Sequence, residues 1–82
     1  MNNIRKKILV VDDEAKIVEI VKSYLENSGY SVCEAYNGKE ALKKFEKENP
    51  ALIILDLMLP DITGEEICKT LRKKSRVPII ML

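Results

Sequence analysis

The chain has 82 residues, 46% hydrophobic and 33% charged, with 14 Lys and Arg against 13 Asp and Glu for a formal net charge of +1. That length holds one small domain or part of one, and the apolar fraction with so low a net charge excludes a disordered segment. A near-neutral balance gives no electrostatic reason to bind nucleic acid or membrane, and the lack of histidine excludes Ser-His and Cys-His nucleophile pairs, leaving carboxylates for chemistry.

The opening Met1-Asn2-Asn3-Ile4-Arg5-Lys6-Lys7 lacks the apolar stretch and cleavage site of a secretory signal. No apolar run reaches the roughly 18–20 residues of a membrane helix, so a soluble, cytoplasmic chain is expected. Lys7-Ile8-Leu9-Val10-Val11 is apolar at consecutive positions, which predicts a strand buried on both faces, as in a parallel sheet. Asp12-Asp13 ends it. Ile17, Ile20, Val21, Tyr24 and Leu25 then recur at helical spacing, opposed by Lys16, Glu19, Lys22 and Glu26, and Ser28-Gly29 closes the helix. Tyr30 to Ala35 alternates more and predicts a second strand nearer a sheet edge.

Asn37 with Glu40 three positions on is a helix cap with its reciprocal partner. Ala41, Leu42 and Phe45 form the inward stripe of that second helix, and Asn49-Pro50 stops it. Ala51 to Asp56 predicts a third strand, again with an aspartate at its carboxyl end. After the loop Leu57 to Ile62, Thr63 and Glu66 repeat the cap pattern, and Ile67 and Leu71 give the buried side of a third helix ending in Arg72-Lys73-Lys74. Pro78 to Leu82 begins a fourth strand, with proline where the first residue of a strand tolerates it.

Strand–helix–strand repeated with short connections implies right-handed crossovers and a doubly wound parallel sheet with helices on both faces. Ligands of such sheets sit beyond the carboxyl ends of the strands, where strand order reverses. With the first and third strands as neighbours, Asp12, Asp13 and Asp56 project into that crevice. Close carboxylates repel, a hard divalent cation relieves the repulsion, and an all-oxygen ligand set suits magnesium over zinc. A carboxylate beside such an ion can attack phosphorus and form an aspartyl phosphate. Asp56 is then the nucleophile, and Asp12 and Asp13 are metal ligands. The alternative is structural: Asp12, Asp13 and Glu14 would complement a helix dipole, and Asp56 would simply form a turn.

Lys7 to Glu14, Asn37-Gly38, and Leu55-Asp56-Leu57-Met58-Leu59-Pro60-Asp61 with Gly64 resemble, in order and spacing, the receiver domain of bacterial two-component response regulators. The resemblance spans the whole chain. It implies a flavodoxin-like α/β sheet of strand order 2-1-3-4, with Asp56 accepting a phosphoryl group from a sensor histidine kinase. It implies that Asp12 and Asp13 hold Mg2+ beside Asp56, with the Met58 backbone carbonyl completing the metal site. The Leu-Met-Leu-Pro-Asp loop is most similar to the class joined to a winged-helix DNA-binding output domain, which implies a role in transcription. A receiver needs no histidine of its own.

Receivers have about five strands and five helices, or roughly 110–130 residues. Residues 1–82 are therefore expected to be an incomplete receiver lacking a fourth helix, fifth strand and fifth helix, together with the family's switch hydroxyl and lysine. An apolar fourth strand at the sheet edge is then a template for self-association or segment exchange, and the first helix exposes apolar surface.

The remaining signals are structural. Arg72 to Arg76 complements a helix C-terminus, and Cys33 and Cys68 are small apolar fillers. Tyr24, Tyr30 and Phe45 are expected in or beside the core. Gly29, Gly38 and Gly64 form no phosphate loop. Two rivals stand beside the receiver reading. One is an aspartyl-phosphate phosphatase or mutase, although Met58 stands where such enzymes want a second acid. The other is an inactive piece serving only in assembly.

Overall fold

A computed structural model describes residues 5–82; the reading of Met1 to Lys7 as lacking a secretory signal lies mostly outside them. Strands β1 (Lys7–Val11), β2 (Ser31–Ala35), β3 (Leu52–Leu55) and β4 (Ile79–Met81) alternate with helices α1 (Ala15–Asn27), α2 (Gly38–Glu48) and α3 (Gly64–Arg72). All strand pairs are parallel, in the order β2-β1-β3-β4. This is the flavodoxin-like order that the resemblance implies.

The consecutive apolar run of β1 is explained by what covers it. Leu9 and Val11 join Cys33, Ala35, Ile53 and Leu55 in a core closed by Ala41 of α2 and by Ile67 and Leu71 of α3. Ile8 and Val10 point the other way and meet Val18 of α1, flanked by Val21, Leu25, Val32, Leu52 and Ile54. One face of the sheet thus carries α2 and α3, and the other carries α1. β2 is an edge strand, as its alternation suggests.

The caps explain where the helices start and stop. Asn37 accepts the Glu40 N–H at 2.8 Å, and the Glu40 carboxylate answers on the Tyr36 N–H, one residue before the cap, at 2.8 Å. Thr63 accepts the Glu66 N–H at 3.1 Å. Gly29, at φ +98°, supplies the left-handed residue after α1, a conformation that costs other residues roughly 1–2 kcal/mol. Asn49 takes the same role after α2 at φ 48°. In the last turn of α3, Lys69 and Arg72 complement the dipole, and Lys74 pairs with Glu46 of α2.

The structure corrects the reading of α1. The residue fully buried is Val18, with Val21 and Leu25 on the same side. Ile17, Ile20 and Tyr24 lie 37%, 63% and 76% exposed. Both sets have the spacing i, i+3, i+7, one residue apart and so about 100° apart around the helix. The sheet beneath can take only one of them. Tyr24 is therefore an outer-face residue and Tyr30 is also exposed, whereas Phe45 packs against the core.

Candidate functional site

Two backbone ladders deliver the acidic residues to one place. Val11 of β1 is in register with Leu55 of β3, so the next residues, Asp12 and Asp56, leave the sheet side by side. Both remain tied to it: the Asp12 N–H donates to the Ala35 carbonyl at 3.2 Å, and the Asp56 N–H to the Val11 carbonyl at 2.9 Å. One carboxylate oxygen from each of Asp12, Asp13 and Asp56 lies within 4.8 Å of the others. Asp12 and Asp56 are half-buried and Asp13 is exposed. All three sequence-predicted side chains are thus brought together.

The structural alternative for these residues fares unevenly. α1 has no acidic residue in its first turn, and its N-cap, Glu14, makes no side-chain cap bond. The acidic run therefore lies at and before the N-cap, and Glu14 caps none of the helix amides with its side chain. Turn formation does occur: Asp12 accepts the Glu14 N–H at 2.9 Å, and Asp56 accepts the Met58 N–H at 3.2 Å. Each bond engages one oxygen and leaves further lone pairs on the carboxylate.

The loop after β3 is held at both ends. The Gly64 N–H donates to the Leu57 carbonyl at 2.9 Å. A Cβ on Gly64 would lie 2.9 Å from both the Asp56 backbone oxygen and the Leu57 Cα, so only glycine lets α3 start this close to the end of β3. At the loop tip, Asp61 accepts the N–H groups of Gly38, Lys39 and Ile62 at 2.7, 3.0 and 2.8 Å. Those bonds, the Gly38 N–H foremost, hold its carboxyl below the usual aspartate range. The sequence singles out Asp61 only within the loop motif; its two partners in α2 stand 22 and 23 positions away, and no local pattern announces them. Met58 sits between the two anchors, 76% exposed, and among the described residues no hydrogen bond ends on its carbonyl.

Three carboxylates converging at the mouth of a parallel sheet form an all-oxygen donor set, which suits a hard divalent cation. The cysteines lie apart from it. Cys33 is buried in the core, where desolvation pushes its thiol upward and keeps it protonated, and Cys68 is half-buried on α3.

Comparison with known proteins decides the family. The response regulator receiver domain matches residues 8–82. This chain belongs to that family. Among the relatives of the receiver domain, a probable transcriptional regulator, ycf27 of Pyropia yezoensis, is 54% identical over 82 residues, which is 100% of this chain and 34% of that protein. The alkaline phosphatase synthesis transcriptional regulatory protein PhoP of Bacillus subtilis is 58% identical over 78 residues, 94% of this chain and 32% of the relative. The structure of the chemotaxis response regulator CheY4 of Vibrio cholerae superposes with a TM-score of 0.91 at 38% identity, covering 95% of this chain and 68% of that one. The receiver domain described here spans about a third of the length of the curated relatives it matches. No helix among the described residues is long and apolar enough to cross a membrane.

Proposed function

We propose that this receiver domain accepts a phosphoryl group on Asp56 from the phosphohistidine of a sensor kinase, in the cytoplasm, and thereby regulates a transcriptional output. The observation that carries the reading is the convergence of Asp12, Asp13 and Asp56 within 4.8 Å at the ends of adjacent strands. An Asp56 carboxylate oxygen attacks phosphorus, the bond from phosphorus to the donor breaks, and an acyl phosphate remains on the chain. Asp12 and Asp13, with Asp56 and the Met58 carbonyl, would hold Mg2+, which when bound supplies positive charge to balance the transferring group. The chain acts on itself and turns over no separate substrate.

The test is incubation with acetyl phosphate and Mg2+, followed by intact mass. One phosphate per chain, absent in Asp56→Asn, is the expected result. Release of phosphate from added phosphoesters would favour the phosphatase rival, and no modification would favour an assembly piece. The same reading requires Mg2+ to raise the melting temperature. At ten times Kd the gain is about 1.4 kcal/mol, several degrees for a domain of this size. Asp13→Asn removes one of the repelling charges, so it should stabilise the metal-free chain and blunt the Mg2+ response.

A further inference from the structure

The first helical N–H groups of an α-helix have no partner within the helix. In α2 the cap residue Asn37 serves only that of Glu40. The two before it, on Gly38 and Lys39, are taken by the two oxygens of Asp61, from the loop after β3. The fit is close: a Cβ on Gly38 would lie 2.8 Å from the Ile62 Cβ and 3.1 Å from Asp61 Oδ1. The loop tip therefore sits flush on the start of α2, while the other end of the loop is pinned where Gly64 meets Leu57. Between the two anchors lies Met58, tied by its N–H to Asp56.

We propose that Asp61 is a positioning residue for the cation site: by docking the loop tip on the N-terminus of α2 it fixes the Met58 carbonyl relative to Asp12, Asp13 and Asp56. The inference rests on the phosphoacceptor reading above and extends it to a residue outside the acidic cluster. Without Asp61 the loop tip keeps only the packing of Leu59 and Ile62 against the core, and more of the ordering of the Met58 carbonyl must happen at the moment the cation binds. Outer groups that orient ligands typically contribute 10–100-fold to metal affinity. Reciprocity follows from linkage: cation binding at the strand ends should slow hydrogen exchange at the Gly38 and Lys39 amides, which touch no ligand.

The experiment is Mg2+ titration of the folded 82-residue chain, its Asp61→Ala and Asp61→Asn variants, and Glu48→Gln, with amide exchange followed by NMR. Glu48→Gln breaks the pair with Lys7 at the far end of α2 and serves as a control for lowered stability alone. Asp61→Ala should weaken Mg2+ binding about tenfold. Asp61→Asn keeps an acceptor for Gly38 but loses the bond to Lys39, and should fall between; it carries the test should the alanine variant not fold. Glu48→Gln should bind as the parent does. Wild-type affinity in both Asp61 variants, or Gly38 and Lys39 amides indifferent to Mg2+, would overturn the proposal while leaving the phosphoacceptor reading intact. A parent chain that binds no Mg2+ would overturn both.

Discussion

At Gly64 a single hydrogen atom in place of a methyl group decides how near α3 comes to Asp56. The atoms a Cβ would strike, the Asp56 oxygen and the Leu57 Cα, both at 2.9 Å, belong to backbone and cannot swing aside. Gly64→Ala should therefore cost about 1–3 kcal/mol, the usual range for overpacking, read by urea denaturation. It should also lower phosphate acceptance, because the backbone displaced is that of Asp56. Gly29→Ala makes a useful contrast: nothing lies within 4 Å of its Cβ position, so its cost is conformational alone. Residues of this kind differ in how far the sequence reveals them. Asp12, Asp13 and Asp56 stand out because each interrupts or follows an apolar run. Asp61 does not, since its meaning lies in amides brought to it by tertiary folding.

Among the elements, β1 and α2 are linked by an ion pair, Lys7 Nζ to Glu48 Oε1 at 2.6 Å. The hydrogen bond between them raises the Lys7 ammonium above the usual lysine value and lowers Glu48 below the usual glutamate value. The depressed Glu48 contributes stability that is complete above the ordinary glutamate value and is lost as pH falls through its lowered one. The raised Lys7 contributes stability that is complete below the ordinary lysine value and is lost as pH rises through its raised one. Lys7→Met should accordingly narrow the stability difference from the parent at both pH extremes and show it fully between them, in urea titrations across pH. Existence, type and order of all seven elements were legible from periodicity and caps. The inward face of α1 was not, because Ile17, Ile20 and Tyr24 carry the same helical spacing as Val18, Val21 and Leu25, and only the narrow width of sheet below chooses between them.

At the scale of the molecule the cover is uneven. α1 packs chiefly over β1 and β2, so on its face Ile80, aligned with Ile54, stays 49% exposed. On the other face Met81 lines a hollow of about 620 Å³ with Cys68 and Arg72 of α3. The outer edge of β4 is open as well, and an apolar open edge invites pairing with another chain. The 82-residue chain is expected to associate with itself in a concentration-dependent way, measured by sedimentation, and Ile80→Lys should shift it towards monomer. A mass that stays monomeric at every concentration would count against this. The strand order was legible through the family resemblance, the residues themselves carrying the adjacency of the first and third strands only as the condition under which the aspartates gather; the extent of helical cover was not, since it depends on packing directions that no local pattern encodes.

The alignment of Val11 with Leu55 has an evolutionary corollary. Swapping one aliphatic for another within β1 or β3 leaves the acidic trio where it is. Deleting a single residue from either would pull its aspartate back by roughly 3.3 Å and turn it towards the opposite side of the sheet. Drift in this region is accordingly free in side-chain identity and nearly forbidden in length, a constraint that insertion–deletion scanning would expose more sharply than substitution.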